Sequence, residues 1–211
     1  VRRVARPARR RPFRPRPQMK ALRHTLLLFV LPAVLFALAP TAFLYDRAAI
    51  LQGEGWLLWT GHWVHFSFSH LAWNLAVLLG AGTWLEHLRP GATRRYVFIA
   101  APLISLGLVV GAPAMHTYGG LSGLATGLVT LLALIQFRTQ PAERNGWLAV
   151  LLLTAGKTAA DAFSSTPIFS HFEGGSIQVS ALAHLLGGLC ALPVFLSISP
   201  PLRATPATAV P

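Results

Sequence analysis

Long apolar runs separated by short polar connections dominate the pattern of this chain. A helix needs about 20 predominantly apolar residues to cross the hydrocarbon core of a bilayer. The connections between the runs are too short to hold a separate domain, so the pattern predicts an all-α membrane protein. The six predicted spans lie at about 25–45, 68–88, 94–112, 120–138, 147–165 and 177–199.

Composition supports lipid as the main solvent of this chain. Hydrophobic residues make up 54% of the sequence and charged residues only 11%, and the mean hydropathy is +0.55. A soluble domain usually carries about 25% charged residues. The single cysteine, Cys190, allows no internal disulfide.

The positive charge is concentrated at the amino end, where ten of the 18 Lys and Arg lie within the first 23 residues. Residues 1–22 are rich in Arg and Pro without a periodic apolar face, which predicts a disordered cytoplasmic arm. No folded nucleic-acid-binding module accompanies the arm, so no nucleic-acid partner is expected. Met19 stands just before the first apolar run, and translation is expected to start there, which would leave residues 1–18 untranslated. Residues 23–200 form the predicted membrane domain, and residues 201–211 a short cytoplasmic tail.

The distribution of Lys and Arg predicts the orientation, because these residues favour cytoplasmic loops. With the amino end inside, the outer loops hold only Arg47, and an odd number of spans would put the tail outside. Six spans with both termini in the cytoplasm is the consistent arrangement. The inner loops then hold Arg89, Arg94, Arg95, Arg138, Arg144 and Arg203.

Two charges remain inside the fifth predicted span, Lys157 and Asp161 of AGKTAADAF. At a spacing of four they share one helix face and can neutralise each other. A charge within the membrane also suggests function, because an unpaired one is costly. The pair is therefore interpreted as structural, with a transport role as the alternative.

Polar residues cluster where the second span begins, in GHWVHFSFSHLAWNLA. His70 and Asn74 are four apart, so they project from one helix face and can both donate hydrogen bonds toward one point. Hydrogen bonding between helices is the simpler interpretation of such a pair.

A serine and a histidine mark the fourth and sixth spans. Ser122 lies between glycines in YGGLSGLATG, at the predicted start of the fourth span, and His184 lies in VSALAHLLGG. His184 is about seven residues from the predicted start of its span, hence roughly 10 Å deep at 1.5 Å per residue. Small residues let helix backbones approach closely in lipid, so Gly123, Gly127 and Gly187 favour contact between these helices. A helix start also supplies backbone N–H groups suited to an oxyanion.

Together these strings resemble the motifs of rhomboid intramembrane serine proteases: GLSG at 120–123, HFSFSHLAWN at 65–74 and AHLLG at 183–187. They occur in the family's order and on the second, fourth and sixth spans, and the resemblance covers roughly residues 40–198. It implies a six-transmembrane-helix rhomboid-like bundle. Length, span number and TGHWVH resemble the bacterial rhombosortase branch in particular.

The resemblance implies a role for each matching residue. Ser122 would be the nucleophile and His184 the general base, as a dyad without an acidic third partner. His70 and Asn74 would be side-chain donors of the oxyanion hole, with the Ser122 backbone N–H. Three glycines and one further histidine would support the site: Gly120 permits the unusual backbone before the serine, Gly123 and Gly187 allow close helix packing, and His65 is structural.

The resemblance also implies the setting of the reaction. Substrates would be transmembrane proteins in the lipid bilayer, cut near the outer face of a bacterial inner membrane, with carboxy-terminal Gly-Gly segments as the rhombosortase-type substrate. No cofactor and no metal is expected, and the sequence predicts no oligomeric state. A non-catalytic rhomboid-like binding protein and a small-solute or metal transporter are the alternatives.

Three positions depart from the family pattern. The Arg that commonly follows the loop Trp is Leu57, after Trp56. The aromatic residue that stacks on the histidine in many rhomboids is Thr126, and the second small residue of the sixth span is Ala191. Weaker anchoring of the loop and weaker orientation of His184 are therefore expected.

Overall fold

The computed structural model describes residues 17–38, 40–163 and 180–198, and these residues are mostly helical. Most of the basic arm, the end of the fifth predicted span, the start of the sixth and the tail lie outside the described residues. The described helices are α1 (Pro17–Leu38), α2 (Pro40–Phe43), α3 (Arg47–Leu51), α4 (Leu57–Thr60), α5 (Phe68–Leu88), α6 (Ala92–Gly111), α7 (Ser122–Thr139), α8 (Arg144–Phe163) and α9 (Ala181–Ile198), with 3-10 turns at Gly61–Trp63 and Pro141–Glu143. Two short strands, β1 (Tyr45–Asp46) and β2 (Thr117–Tyr118), pair antiparallel.

Each predicted span corresponds to one long helix: α1, α5, α6, α7, α8 and α9 in order. The largest difference is at α1, which begins at Pro17, within the arm predicted to be disordered. Proline is favoured at a first helical position, and the Met19, Lys20, Ala21 and Leu22 that follow are good helix formers. These local preferences extend the helix upstream of its apolar run.

By length and hydropathy, three of the described helices can cross a membrane: α6, α7 and α9. A fourth crossing is counted if the segment Leu57–Trp63 and α5, which meet at an angle of 103°, form one broken span. The helix α8 carries Lys157 and Asp161, which lowers its hydropathy. Six crossings therefore stay a prediction.

Close contact between α7 and α9 organises the bundle. A Cβ placed on Gly123 would lie 2.8 Å from the Ala183 carbonyl oxygen, and one placed on Gly187 would overlap the Gly123 carbonyl. Likewise, a Cβ on Gly127 would overlap the Gly187 carbonyl. Because an advance of four residues on α7 matches an advance of four on α9, the two helices run parallel with their backbones in contact.

Helix α6 completes this junction through one tyrosine. The Tyr96 hydroxyl donates a 3.0 Å hydrogen bond to the Gly187 carbonyl, and it occupies the space that a Cβ on Gly127 would need. Tyr96 is fully buried. Three helices thus meet at a point where α7 and α9 carry only glycines. Helix α7 also packs against α5 and α8, which makes it the central helix.

The loop before α7 is tied to the segment after α1. The pairing of Tyr45 with Tyr118 places their rings edge to face at 6.2 Å, and the Arg47 N–H donates to the His116 carbonyl. Gly61 packs directly on Tyr45, where a Cβ would lie 2.7 Å from the tyrosine backbone nitrogen. The entry angle of the chain into α7 is therefore set by contacts about 60 to 75 residues earlier in sequence.

We expect Gly187→Ala to lower the free energy of unfolding, because its Cβ must displace the backbone of α7. Overpacking of this kind costs about 1–3 kcal/mol. Gly188→Ala is the matched control: the nearest atom to its Cβ is the Thr130 Oγ1 at 3.7 Å, and both changes gain the same helix propensity. Reversible unfolding in detergent micelles measures both, and equal effects would contradict the packing described here.

Candidate active site

Ser122 is the first residue of α7. The first N–H groups of a helix have no acceptor within it, so the Ser122 N–H points away from the body of α7. The preceding loop is held by Tyr118, whose hydroxyl donates a 3.0 Å hydrogen bond to the Gly120 carbonyl. Burial raises the pKa of the Tyr118 phenol, while the Ser122 side chain and the Gly123 backbone act in the opposite direction. The phenol therefore remains a protonated donor beside Ser122.

His184 lies in the first turn of α9, which begins only three residues before it. Ser180 caps this helix: its Oγ accepts a 3.1 Å hydrogen bond from the Ala183 N–H, as expected for serine at an N-cap. The expected position, seven residues into the span, is therefore wrong for the helix as folded. The cap starts the helix late, and the first turns of α7 and α9 lie side by side.

The two ring nitrogens of His184 have different surroundings. Within the described residues, Nε2 is buried without a hydrogen-bond partner, so no hydrogen bond joins it to Ser122. Nδ1 lies 2.7 Å from the Asp161 Oδ2. The same carboxylate oxygen accepts a 2.6 Å hydrogen bond from the Lys157 ammonium. The predicted Lys157–Asp161 ion pair thus forms, but it also contacts His184, which the sequence did not indicate.

The expectation of a histidine without an acidic partner is not met by this geometry. Asp161 reaches His184 from α8, a different helix, and 23 residues separate the two in sequence. The signal available in the sequence was the carboxylate itself, since an intramembrane acidic residue suggests function. Lys157, one turn away on the same helix, was a sufficient partner for that carboxylate. The sequence therefore provided no reason to place Asp161 beside His184.

His70 and Asn74 lie where their spacing placed them, on the inner face of α5. Ser67 caps this helix by accepting from the His70 N–H at 3.2 Å, and both predicted side chains are buried. The His70 ring packs on Gly120, which has a φ of 125°. A Cβ at Gly120 would lie 2.5 Å from the His70 Cε1, so both the backbone angle and the space require glycine there.

His65 connects this group to the loop before the serine. Its Nδ1 donates to the Trp63 carbonyl at 2.9 Å, so Nε2 is the acceptor nitrogen. That Nε2 accepts from the Asn74 amide at 3.3 Å and from the Leu121 N–H at 3.4 Å. His65 therefore fixes the Asn74 side chain relative to the residue before Ser122.

Two of the three departures from the family pattern have identifiable surroundings. Leu57 is buried, and the loop around it is held by hydrogen bonds from the Ser105 hydroxyl to the Leu58 carbonyl and from the Thr60 hydroxyl to the Phe43 carbonyl. The Thr126 hydroxyl donates to the Ser122 carbonyl within α7, and the side chain has no ring to stack on His184. The expected weak anchoring of the loop is thus offset by other bonds, and His184 is held by Asp161.

The arrangement combines a hydroxyl at a helix start, an imidazole whose Nε2 has no hydrogen-bond partner among the described residues, and several N–H donors. These are the groups required for nucleophilic attack on a carbonyl and for stabilising the resulting oxyanion. Among the described residues, no group of three or more His, Cys, Asp or Glu is placed to hold a metal ion.

Comparison with known proteins agrees with the motifs. Residues 52–199, more than two thirds of the chain, match the Rhomboid domain family. No curated protein matches the chain. The matched range contains Ser122, His184 and the polar start of α5. The chain therefore belongs to the rhomboid family, whose members are intramembrane proteases, and it is an integral membrane protein.

Proposed function

We propose that this protein is an intramembrane serine endopeptidase that cleaves membrane-anchored proteins, with Ser122 as nucleophile and His184 as general base. The observation that carries the proposal is the contact of α7 with α9. Glycines bring the first turns of these helices together, so Ser122 and His184, each adjacent to the Gly123–Ala183 contact, lie at the same level of the bundle. The His184 Nε2 has no hydrogen-bond partner among the described residues. A serine side chain is short, and this proximity of backbones is what its reaction with a histidine requires.

The proposed reaction begins when the Ser122 Oγ attacks a peptide carbonyl while the His184 Nε2 takes the hydroxyl proton. The tetrahedral intermediate collapses by breaking the C–N bond, and His184 returns the proton to the leaving amine. A water molecule then attacks the acyl-enzyme by the same steps. No cofactor is needed for this sequence.

Three N–H donors are proposed for the oxyanion: the His70 imidazole, the Asn74 amide and the Ser122 backbone N–H. An amide has two N–H bonds, and the contact with His65 uses one of them. His70 is held against Gly120, two residues before the nucleophile. One such donor is worth about 3–4 kcal/mol of barrier.

The proposed topology has six spans, both termini in the cytoplasm of a bacterium and the site opening to the outer side of its inner membrane. Ser122 begins α7 and Arg138 lies in its last turn. Arg94 and Arg95 lie in the first turn of α6, the neighbouring helix. Positive residues favour the cytoplasmic side, which supports a site at the opposite, outer end.

The proposed substrates carry a carboxy-terminal Gly-Gly segment, a membrane span and a basic tail, as for the rhombosortase branch. Glycines adopt extended and irregular backbone at little steric cost, which suits a peptide that must reach a buried serine. A non-catalytic binding protein and a solute or metal transporter remain the alternatives, and neither requires the Ser122 hydroxyl.

We expect Ser122→Ala and His184→Ala each to abolish cleavage, because each removes a reacting group. Ser122→Ala should leave the melting temperature nearly unchanged, whereas His184→Ala should still fold but melt earlier, since the buried Asp161 carboxylate loses a donor. Ser197→Ala is the control: its hydroxyl donates to the Val194 carbonyl near the other end of α9. A serine-directed fluorophosphonate should label the wild type and Ser197→Ala but not Ser122→Ala. Near-normal turnover by either site variant would remove the dyad assignment.

We expect His70→Ala and Asn74→Ala to reduce the single-turnover rate by on the order of 100–1000-fold, with the larger loss at His70. Both donors act on one charge, so the double variant should lose less than the product of the single losses. If these residues served only as contacts between helices, each change would instead cost about 0.6–2 kcal/mol of stability. Variants that melt early yet cleave at the wild-type rate would exclude the oxyanion role.

We expect a reporter with Gly-Gly before its span to be cleaved. The same reporter with Ala-Ala should be turned over at least roughly 10- to 200-fold more slowly, since that is the usual effect of a single added carbon in a fitted site and Ala-Ala adds one carbon at each of two positions. Cleavage of both reporters is measured with purified enzyme in proteoliposomes, and the Ser122→Ala enzyme serves as the blank. Equal cleavage of both reporters would rule out the Gly-Gly preference but leave the protease proposal standing.

A further inference from the structure

Lys157, Asp161 and His184 form a cluster of three ionisable side chains between α8 and α9. The carboxylate of Asp161 and the ring of His184 are each only 1% exposed, whereas the Lys157 side chain is 31% exposed. A buried carboxylate is costly unless its charge is compensated by neighbouring donors. Here the donors come from both helices, so the carboxylate links α8 to the proposed base.

The distances determine which nitrogen of His184 carries the proton. The Asp161 Oδ2 lies 2.7 Å from Nδ1, and an anionic oxygen at that distance requires an N–H as its partner. The Lys157 ammonium also lies 3.3 Å from Nδ1, but it donates at 2.6 Å to the same Oδ2. If Lys157 donated to a bare Nδ1 instead, the nitrogen lone pair and the carboxylate would repel each other at 2.7 Å. The Nδ1–H tautomer is therefore the one that satisfies all three groups.

This tautomer leaves the lone pair on Nε2, the nitrogen without a partner among the described residues. A base must present its lone pair, so Nε2 is ready to accept a proton from Ser122. When it does so, His184 becomes an imidazolium, and Asp161 lies in contact with the new positive charge. Lys157 opposes that charge but keeps the carboxylate ionised in its apolar surroundings.

We propose that Asp161 is a positioning residue for His184: its carboxylate fixes the reactive tautomer and stabilises the imidazolium formed during the reaction. This rests on the proposed function. In the step concerned, the Ser122 Oγ–carbon bond forms, the carbonyl π electrons move to the oxyanion, and the Ser122 proton moves to Nε2. Asp161 keeps its charge and its hydrogen bond to Nδ1–H throughout, and the proton leaves Nε2 with the departing amine. The family's aromatic residue is absent at Thr126, and Asp161 orients the histidine instead.

The test compares variants in the cluster by single-turnover cleavage as a function of pH. Asp161→Asn should lower kcat by on the order of 10²–10⁴-fold with little change in KM, since the amide can stabilise the wrong tautomer. Loss of the counter-charge should also move the acidic limb of the rate profile to lower pH. Lys157→Gln should move that limb to higher pH, because it removes a positive charge beside the imidazolium.

The opposite shifts must come from these two residues rather than from other groups near His184. The His70 ring lies within Coulombic range of both His184 and Lys157. Tyr96 on α6 and Tyr118 before α7 are the phenols of the packed elements, and Cys190 lies on α9 itself. None of these groups is altered in the two variants, so their contribution is constant across the series.

Thr158→Ala is the matched control, because the Thr158 hydroxyl donates to the Thr154 carbonyl within α8 and should leave the rate and pH profile unchanged. Asp161→Glu, which keeps a carboxylate, should recover part of the rate lost in Asp161→Asn. If Asp161→Asn does not fold, Lys157→Gln and Asp161→Glu carry the test, and an unchanged pH limb in Lys157→Gln overturns the proposal.

A purely structural ion pair predicts a different result: lower melting temperatures for both Asp161→Asn and Lys157→Gln, with an unchanged kcat and no movement of the pH limb. That result would overturn the inference while wild-type cleavage still supported the protease. An absence of cleavage and of fluorophosphonate labelling in the wild type would instead overturn the proposed function itself.

Discussion

Backbone contact between α7 and α9 is the constraint on which the rest of this structure depends. Within lipid, association of helices relies on close packing, since apolar side chains gain little by leaving a solvent that is equally apolar. Gly123 and Gly187 remove the side chains that would separate the helices, and the Tyr96 hydroxyl fills the remaining space beside Gly127. Ser122 and His184 each stand next to a residue of that junction.

The polar groups of the site are held by partners outside the contact itself. His65 accepts from Asn74 and from the Leu121 N–H, so one imidazole links α5 to the start of α7. Asp161 does the equivalent for His184 from α8. Polar groups at membrane depth need such partners. Their satisfaction therefore determines the orientation of the site as well as the stability of the bundle.

Other contacts in the fold compensate for two of the departures from the family pattern. Leu57 cannot anchor the loop by charge, and hydrogen bonds from Ser105 and Thr60 hold the neighbouring backbone instead. Thr126 cannot stack on His184, and a carboxylate from another helix contacts the ring. At both positions a different contact replaces the one that the family uses. The residues that make the replacing contacts are too far apart in sequence for a local motif to include them.

The sequence by itself determined the long helices, the family and the residues of the candidate site, because these depend on apolar run length and on local strings. The helix α5 has the predicted bounds, 68–88, since capping by Ser67 and the apolar run agree. Tertiary structure alone decided that Asp161 contacts His184. Helical periodicity assigns a residue to a face, and on that face Lys157 was a sufficient partner for the carboxylate. Which neighbouring helix the face meets depends on packing against a residue 23 positions further along the chain, and the sequence of α8 by itself does not contain that information.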